Sequence, residues 1–172
     1  MKLIGSLLGF SLLVAITGSA RAEIRPDKIF VADEKKSGFY IRDGLIVGGD
    51  RAIDPIIVKD IRRAANRGFE RVVIDLSTPP DETVGVPRPA YFQVAVSPDE
   101  NRIIFTIWGH PELKFNSQKV LKTFKRSKAV KNVQLFPRVE DSSWTFAFDL
   151  KGKHPVEVFE LSNPVRVIMD IK

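Results

Sequence analysis

Hydrophobic and polar residues alternate along several short runs of the chain, a pattern that predicts β-strands. The alternation is clearest in residues 143–150, where every second residue from Trp144 onward is large and apolar and is expected in the core. In residues 102–108 the odd-numbered apolar residues share one face, and Trp108 falls on the other. Further runs cover residues 70–76, 91–96, 130–139, 156–161 and 165–171. Turn residues separate these runs, so the pattern indicates a mainly β protein, a sandwich or a barrel.

One pattern occurs twice: arginine, three apolar residues, aspartate and a further apolar residue. The copies cover residues 71–76 and residues 166–171. Both read as buried strands, so we expect an internal pseudo-repeat. Within a copy the arginine and the aspartate share a strand face but lie about 13 Å apart, so each is expected to pair with a neighbouring strand. The residues that we interpret as structural clamps of this kind are Arg71, Asp75, Arg166 and Asp170.

Residues 23–53 are predicted to form an N-terminal extension that carries a β-hairpin. Asp43-Gly44 lies between two short apolar runs, and an Asp-Gly pair favours the positive φ angles of a two-residue turn.

Residues 54–68 are ambiguous. Asp54-Pro55 can start a helix, and apolar residues between positions 57 and 65 share a helical face. The alternative is a strand over residues 56–62, followed by a loop and the next strand. The local pattern alone favours the helix.

One short α-helix is predicted over residues 117–127. Ser117 is a candidate N-cap, and Val120, Leu121 and Phe124 fall on one side of the helix.

The same region has the strongest charge asymmetry. Residues 113–139 contain no Asp or Glu but eight Lys or Arg residues. A field of one sign attracts anions, although a solvated helix face that serves only solubility is the alternative interpretation. Trp108 is a further candidate, because an indole on a solvated face can stack on a sugar ring. The candidate binding residues are Lys119, Lys122, Lys125, Arg126, Lys128 and Trp108.

Residues 1–22 are predicted to be a cleavable secretory signal peptide. Lys2 precedes an apolar run of about 14 residues, short of the roughly 20 that span a bilayer, and Ala20-Arg21-Ala22 is a small-residue cleavage site. Cleavage after Ala22 is expected to leave no transmembrane segment. The net charge of +6 then loses Lys2 and Arg21, which leaves +4. The absence of Cys in an exported protein favours a bacterial periplasm, where nucleic acid is not an expected partner.

The sequence offers little for catalysis or for metal binding. The two histidines, His110 and His154, lack the spacing of a metal site, and without Cys there is no thiol chemistry. No serine lies in a nucleophile elbow, and no glycine-rich phosphate loop follows a strand. We therefore expect no enzyme, no catalytic residues, no metal and no cofactor.

Three stretches resemble the AMIN-like domain, a relative of the AMIN (amidase N-terminal) domain of bacterial cell-envelope proteins. They are residues 68–73 (GFERVV), residues 89–94 (PAYFQV) and residues 159–170 (FELSNPVRVIMD). The resemblance implies a β-sandwich of two small symmetry-related sheets over residues 54–172. It also implies a strand leading into the first arginine strand, which decides residues 56–62 in favour of a strand.

AMIN domains are similar to non-catalytic targeting modules that act at peptidoglycan. The resemblance and the charge pattern together predict a non-catalytic periplasmic module that binds peptidoglycan or another anionic envelope polymer. The alternative is a protein–protein adaptor in an envelope complex, whose partner pairs with an edge strand or with the N-terminal hairpin.

Overall fold

Eleven strands and one helix form in the described part of the chain. The computed structural model describes residues 28–77, 88–140 and 142–172, so the predicted signal peptide lies outside the described residues. In chain order the elements are β1 (Ile29–Val31), β2 (Gly44–Gly48), β3 (Ile57–Asn66), β4 (Phe69–Ser77), β5 (Phe92–Ser97), β6 (Arg102–Trp108), β7 (Glu112–Leu113), α1 (Ser117–Phe124), β8 (Val130–Glu140), β9 (Ser143–Leu150), β10 (Val156–Ser162) and β11 (Val165–Ile171). The first sheet has the order β1-β2-β5-β6-β9-β8, and the second sheet has the order β10-β11-β4-β3-β7.

The core lies between the two sheets and is built from alternate residues of their strands. In β4 the inward residues include Val72, Ile74 and Leu76. The largest fully buried side chains come from the first sheet: Phe92, Phe105, Trp144, Phe146 and Phe148. The predicted mainly β sandwich with one short helix is therefore confirmed.

The two copies of the repeated pattern are neighbours in the second sheet. β4 and β11 pair antiparallel, with Arg71 opposite Asp170. Because antiparallel pairing reverses one copy relative to the other, Asp75 lies opposite Arg166 in the same ladder. The repeat therefore relates two adjacent strands rather than two sheets.

β3 confirms the strand predicted over residues 56–62 in place of the helix. Its register with β4 shifts between Val58 and Asp60, where a β-bulge adds a residue. Val58 and Ile61 are consequently both buried although they are three positions apart. A spacing of three is also the spacing of a helix face, which explains why the local pattern favoured a helix.

The N-terminal β-hairpin predicted at Asp43-Gly44 is wrong. β2 begins at Gly44 and pairs in parallel with β1 and antiparallel with β5. Gly44 has a φ of +125°, and a Cβ at this position would clash with the carbonyl oxygen of Lys28. The glycine thus permits a close backbone approach instead of a two-residue turn. The segment that follows residue 28 supplies two strands of the first sheet.

Residues 33–41, which we call the strap, connect the first sheet to the second. The backbones of Ile41 and Val156 exchange two hydrogen bonds (2.9 and 2.7 Å), and the N–H of Glu160 donates to the carbonyl of Asp33 (2.8 Å). The strap thereby pairs with β10, an edge strand of the second sheet. On the opposite side of the sandwich, α1 contacts β3 and β8.

Candidate anion-binding surface

The N-cap of α1 lies one residue before the predicted cap, and the helix itself begins at Ser117. Its N-cap is Asn116, whose side chain accepts a hydrogen bond from the backbone N–H of Lys119 (3.0 Å). The prediction of Ser117 as the cap is therefore wrong, because Asn116 is the residue that has extended backbone angles and reaches the free N–H group. The helix ends at Phe124, three residues before the predicted end.

Two buried side chains fix the orientation of α1. Val120 and Phe124 point into the core, and the ring of Phe124 lies 5.5 Å from that of Phe148. The basic side chains of the helix are therefore directed to solvent. We call the following exposed residues the basic surface: Lys119, Lys122, Lys125, Arg126 and Lys128.

The turn after α1 is held by a buried carboxylate of β4. Glu70 accepts hydrogen bonds from Ser127 Oγ (2.5 Å), from the backbone N–H of Lys128 and from Arg63 Nε (3.0 Å). Arg63 also donates to the carbonyl of Arg126 (3.1 Å). Burial alone would raise the pKa of Glu70, but these hydrogen bonds outweigh burial and lower it. The basic surface thus rests on a fixed turn as well as on a fixed helix.

Most cations of the basic surface have no acidic neighbour among the described residues. Lys119 forms an ion pair with Asp60 (3.1 Å). For the other four residues of the basic surface, no carboxylate in the described part of the chain lies within 4.0 Å. The first turn of α1 also contains no acidic residue. The local field is therefore positive and is available to an external anion.

Trp108 does not join the basic surface. It ends β6 and is half-buried, with its ring 5.2 Å from that of Tyr91. Both rings line a cavity of about 190 Å³, and no residue of the basic surface is among the described residues that line it. Trp144 lies in the core, as the alternation predicted, and its indole N–H donates to the carbonyl of Leu135 (2.7 Å).

The charged residues of the repeat form the predicted cross-strand pairs. Arg71 donates two hydrogen bonds to Asp170, each 2.7 Å long, and Arg166 Nε donates to Asp75 (2.9 Å). Burial alone would raise the pKa of both carboxyl groups, but the hydrogen bonds from their basic partners outweigh burial and hold both pKa values below the usual range. These four residues hold β4 and β11 together.

Three residues that the sequence pattern did not predict complete this charged network. Arg62 donates to Asp75 (2.5 and 2.8 Å), and Lys36 of the strap pairs with Asp170. Glu157, which is buried, accepts backbone hydrogen bonds from the strap (2.8 and 2.6 Å). Only the register across the bulge and the path of the strap reveal these contacts, and neither is encoded in a local motif.

The histidines lie at separate places on the surface. His110 contacts Asp54 (2.8 Å), and His154 Nδ1 donates to the carbonyl of Lys172 (2.5 Å). Among the described residues, no group of three or more His, Cys, Asp or Glu side chains is arranged to hold a metal ion. No helix in the described ranges is long and apolar enough to cross a membrane.

The chain matches no protein-family model, and no curated protein matches its sequence. The resemblance to the AMIN-like domain stays a prediction. The basic surface is therefore interpreted from its own chemistry.

Proposed function

We propose that the protein is a non-catalytic module of the periplasmic cell envelope, similar to AMIN domains, and that it binds peptidoglycan or another anionic envelope polymer. The observation that carries the proposal is a set of four exposed cations without a described carboxylate partner. They are presented together by α1 and its turn: Lys122, Lys125, Arg126 and Lys128.

The rigidity of this surface supports a binding role over mere solubility. Val120 and Phe124 anchor the helix, and the buried Glu70 anchors the turn, so the backbone that carries the cations is already ordered before a ligand arrives. Preorganisation lowers the entropic cost of association. A polymer with many carboxylates or phosphates can engage several of these cations at once, which raises the apparent affinity.

The predicted route of export limits the choice of anion. The expected signal peptide takes the chain out of the cytoplasm and away from nucleic acid. The stem peptides of peptidoglycan provide a dense array of carboxylates in the compartment that we expect. We therefore place peptidoglycan first among the candidate polymers.

Co-sedimentation of the protein, expressed from Glu23 onward, with purified sacculi tests the proposal. We expect sedimentation at low salt that declines as salt rises, because the Debye length shortens from about 10 Å at 0.1 M to about 3 Å at 1 M. The double variant Lys122→Glu, Lys125→Glu should lose most of this binding, since it replaces two attractive charges with two repulsive ones.

The matched control is the double variant Lys35→Glu, Arg42→Glu. It makes the same change in net charge with exposed residues in and beside the strap, on the side of the sandwich opposite to α1. This control should sediment nearly as well as the wild type. Equal losses in both double variants would mean that net charge alone drives sedimentation, and no sedimentation at low salt would refute the proposal.

A second candidate function is that of a protein–protein adaptor. β1 is the last strand of the first sheet, and its Ile29 and Val31 side chains are 45% and 77% exposed. An exposed apolar edge strand can accept a strand from another chain. Site-specific photocrosslinking from position 29 in cells tests this function, and a single discrete adduct that disappears in a Val31→Lys background would favour it.

A further inference from the structure

A second candidate site lies where β5 begins and β6 ends. A cavity of about 190 Å³ is lined there by the rings of Tyr91 and Trp108, by the carboxylates of Asp50 and Asp54, and by the exposed Ser142. None of these residues belongs to the basic surface or to the charged clamps of the repeat.

The cavity is built on a backbone that is closely packed. The N–H of Trp108 donates to the carbonyl of Tyr91 (3.0 Å), and the N–H of Tyr91 donates to the carbonyl of Asp50 (2.9 Å). Gly109 has a φ of +94°, and a Cβ at this position would lie 2.5 Å from the carbonyl oxygen of Ile53. The loop of residues 49–54 therefore rests directly on the strand ends, and the backbone that carries the cavity's side chains is held in place.

The two rings have different surroundings. Arg51 lies over the ring of Tyr91, with 4.0 Å between its Cζ and the ring centroid, and this cation–π contact helps to hold the ring. Trp108 lies on the outward face of β6 and is half-buried, so part of the indole is left to face the cavity. Trp108 is thus the apolar surface that a ligand would meet.

Aromatic surface beside carboxylates matches the chemistry of a sugar ring. The C–H groups of a pyranose pack on an indole, and its hydroxyl groups donate hydrogen bonds that need acceptors. Asp50 and Asp54 supply those acceptors. Each has one partner already, the N–H of Ala52 (2.9 Å) and His110 (2.8 Å) respectively, but an ionised carboxylate has about four lone-pair sites.

We infer that this cavity binds one ring of a neutral glycan, with Trp108 as the stacking surface and Asp50 and Asp54 as hydroxyl acceptors. Its volume of about 190 Å³ lies below the roughly 300–1,000 Å³ of pockets that hold drug-sized ligands, which suits one sugar ring better than an oligosaccharide. The lining also includes Arg51, but its two carboxylates leave the cavity with a net negative charge, which disfavours an anionic ligand. This site and the basic surface therefore recognise different parts of a polymer.

The inference deepens the proposed function, because a cell-wall polymer contains sugar rings as well as acidic peptides. Glycan binding in the cavity and anion binding at the basic surface can be tested separately. A neutral, soluble glycan offers no charge to the basic surface, and the variant Lys122→Glu, Lys125→Glu leaves every residue of the cavity in place.

An NMR titration of ¹⁵N-labelled protein with a neutral β-1,4-linked N-acetylglucosamine tetramer tests the inference. The chain has two tryptophans, so two indole N–H signals are available. We expect the Trp108 signal to shift in a saturable manner. The signal of Trp144 should stay in place, because that side chain is fully buried and bonded to Leu135.

The variant Trp108→Ala should bind about tenfold more weakly or worse, followed through the backbone amides of residues 50–54, and Trp108→Phe should bind with intermediate affinity. An unchanged Trp144 signal in both variants shows that the core is folded. The variant Lys122→Glu, Lys125→Glu is the control and should bind the tetramer like the wild type.

Three results would overturn the inference: no saturable shift at Trp108 with either of two neutral tetramers up to their solubility limits, unchanged affinity in Trp108→Ala, or equal shifts at both indoles. A β-1,4-linked glucose tetramer is the second probe. Saturable binding of either tetramer at Trp108 supports a neutral glycan site, and a difference between them shows whether the acetamido group is recognised.

Discussion

At the scale of single residues, equivalent positions of the repeat have unequal surroundings. The side chain of Asp170 is fully buried, whereas that of Asp75 is 18% exposed. Asp170 relies mainly on Arg71, with help from a strap lysine, while Asp75 is shared between Arg166 and Arg62. The loss in free energy of unfolding on removing one arginine should therefore depend on how deeply its aspartate is buried and on which basic partner remains.

We expect Arg71→Met to lower the free energy of unfolding by about 3 kcal/mol, because it deprives a fully buried carboxylate of its bidentate partner. Arg166→Met should cost about 1 kcal/mol, since Arg62 still donates to the partly exposed Asp75. Urea unfolding followed by circular dichroism measures both. Arg42→Met, at an exposed arginine, is the control with little change. Equal losses in the two clamp variants would contradict the role of burial.

The clamp was predictable because both copies of the repeat place their charges at the same spacing. Antiparallel pairing then sets each arginine opposite the aspartate of the other copy. Lys36 was not predictable, since it is 134 positions away from Asp170 and no local pattern fixes the path of the strap. The outward face of Trp108 was predictable from the alternation, but its separation from the basic surface depends on the topology of the whole sheet.

At the scale of elements, α1 shows why a helix is easier to predict than its boundary. The apolar spacing of Val120 and Phe124 identifies the helix and its buried face. Asn116 and Ser117 are both good N-cap residues, so composition cannot choose between them. The choice depends on the backbone angles with which the chain enters the helix.

Asn116→Ala should lower the free energy of unfolding by about 1 kcal/mol, because it removes the acceptor for the N–H of Lys119. Ser117→Ala should change it by less than about 0.5 kcal/mol. Chemical denaturation of both variants measures the difference. A larger loss in Ser117→Ala would place the cap where the sequence predicted it.

The ambiguity between helix and strand at β3 and the wrong prediction of a hairpin at Gly44 have the same cause. The bulge in β3 produces an apolar spacing that also fits a helix, and Gly44 supports a close approach that also fits a turn motif. In both cases a short pattern has two structural solutions. Pairing with a distant strand selects between them, and that pairing is not visible in the local sequence.

At the scale of the whole molecule, buried and half-buried carboxylates link stability to pH. In the folded state the pKa values of Glu70, Asp75, Asp149 and Asp170 are all lowered, because hydrogen bonds from neighbouring donors outweigh burial, which alone would raise them. A carboxylate with a lowered folded pKa binds fewer protons in the folded than in the unfolded chain. Its contribution to stability is therefore complete above the unfolded pKa of about 4 and is lost as pH falls through the folded pKa.

We expect the free energy of unfolding to change little between about pH 7 and about pH 5 on account of these groups, and to fall steadily toward about pH 2. Urea unfolding at a series of pH values measures this profile. Asp149 accepts hydrogen bonds from Arg102 Nε and Gln134 Nε2 (2.8 Å each). The variant Asp149→Asn removes this carboxylate, so its stability should fall less steeply below about pH 4. Stability that is constant or rises below about pH 4 would contradict the ion-paired state of these carboxylates.

The two sides of the sandwich are closed in different ways, and this difference supports the side that we propose for anion binding. On the strap side, the cation Lys36 already forms an ion pair with Asp170. The α1 side leaves four cations without a described carboxylate partner. An external anion is therefore expected on the α1 side.

We propose above all that the basic surface binds carboxylates of the cell wall. Sedimentation of the protein, expressed from Glu23 onward, with sacculi whose carboxylates have been converted to neutral amides tests it most directly. We expect binding at low salt to fall to the level that the variant Lys122→Glu, Lys125→Glu shows on untreated sacculi. Equal binding to amidated and untreated sacculi would contradict the claim.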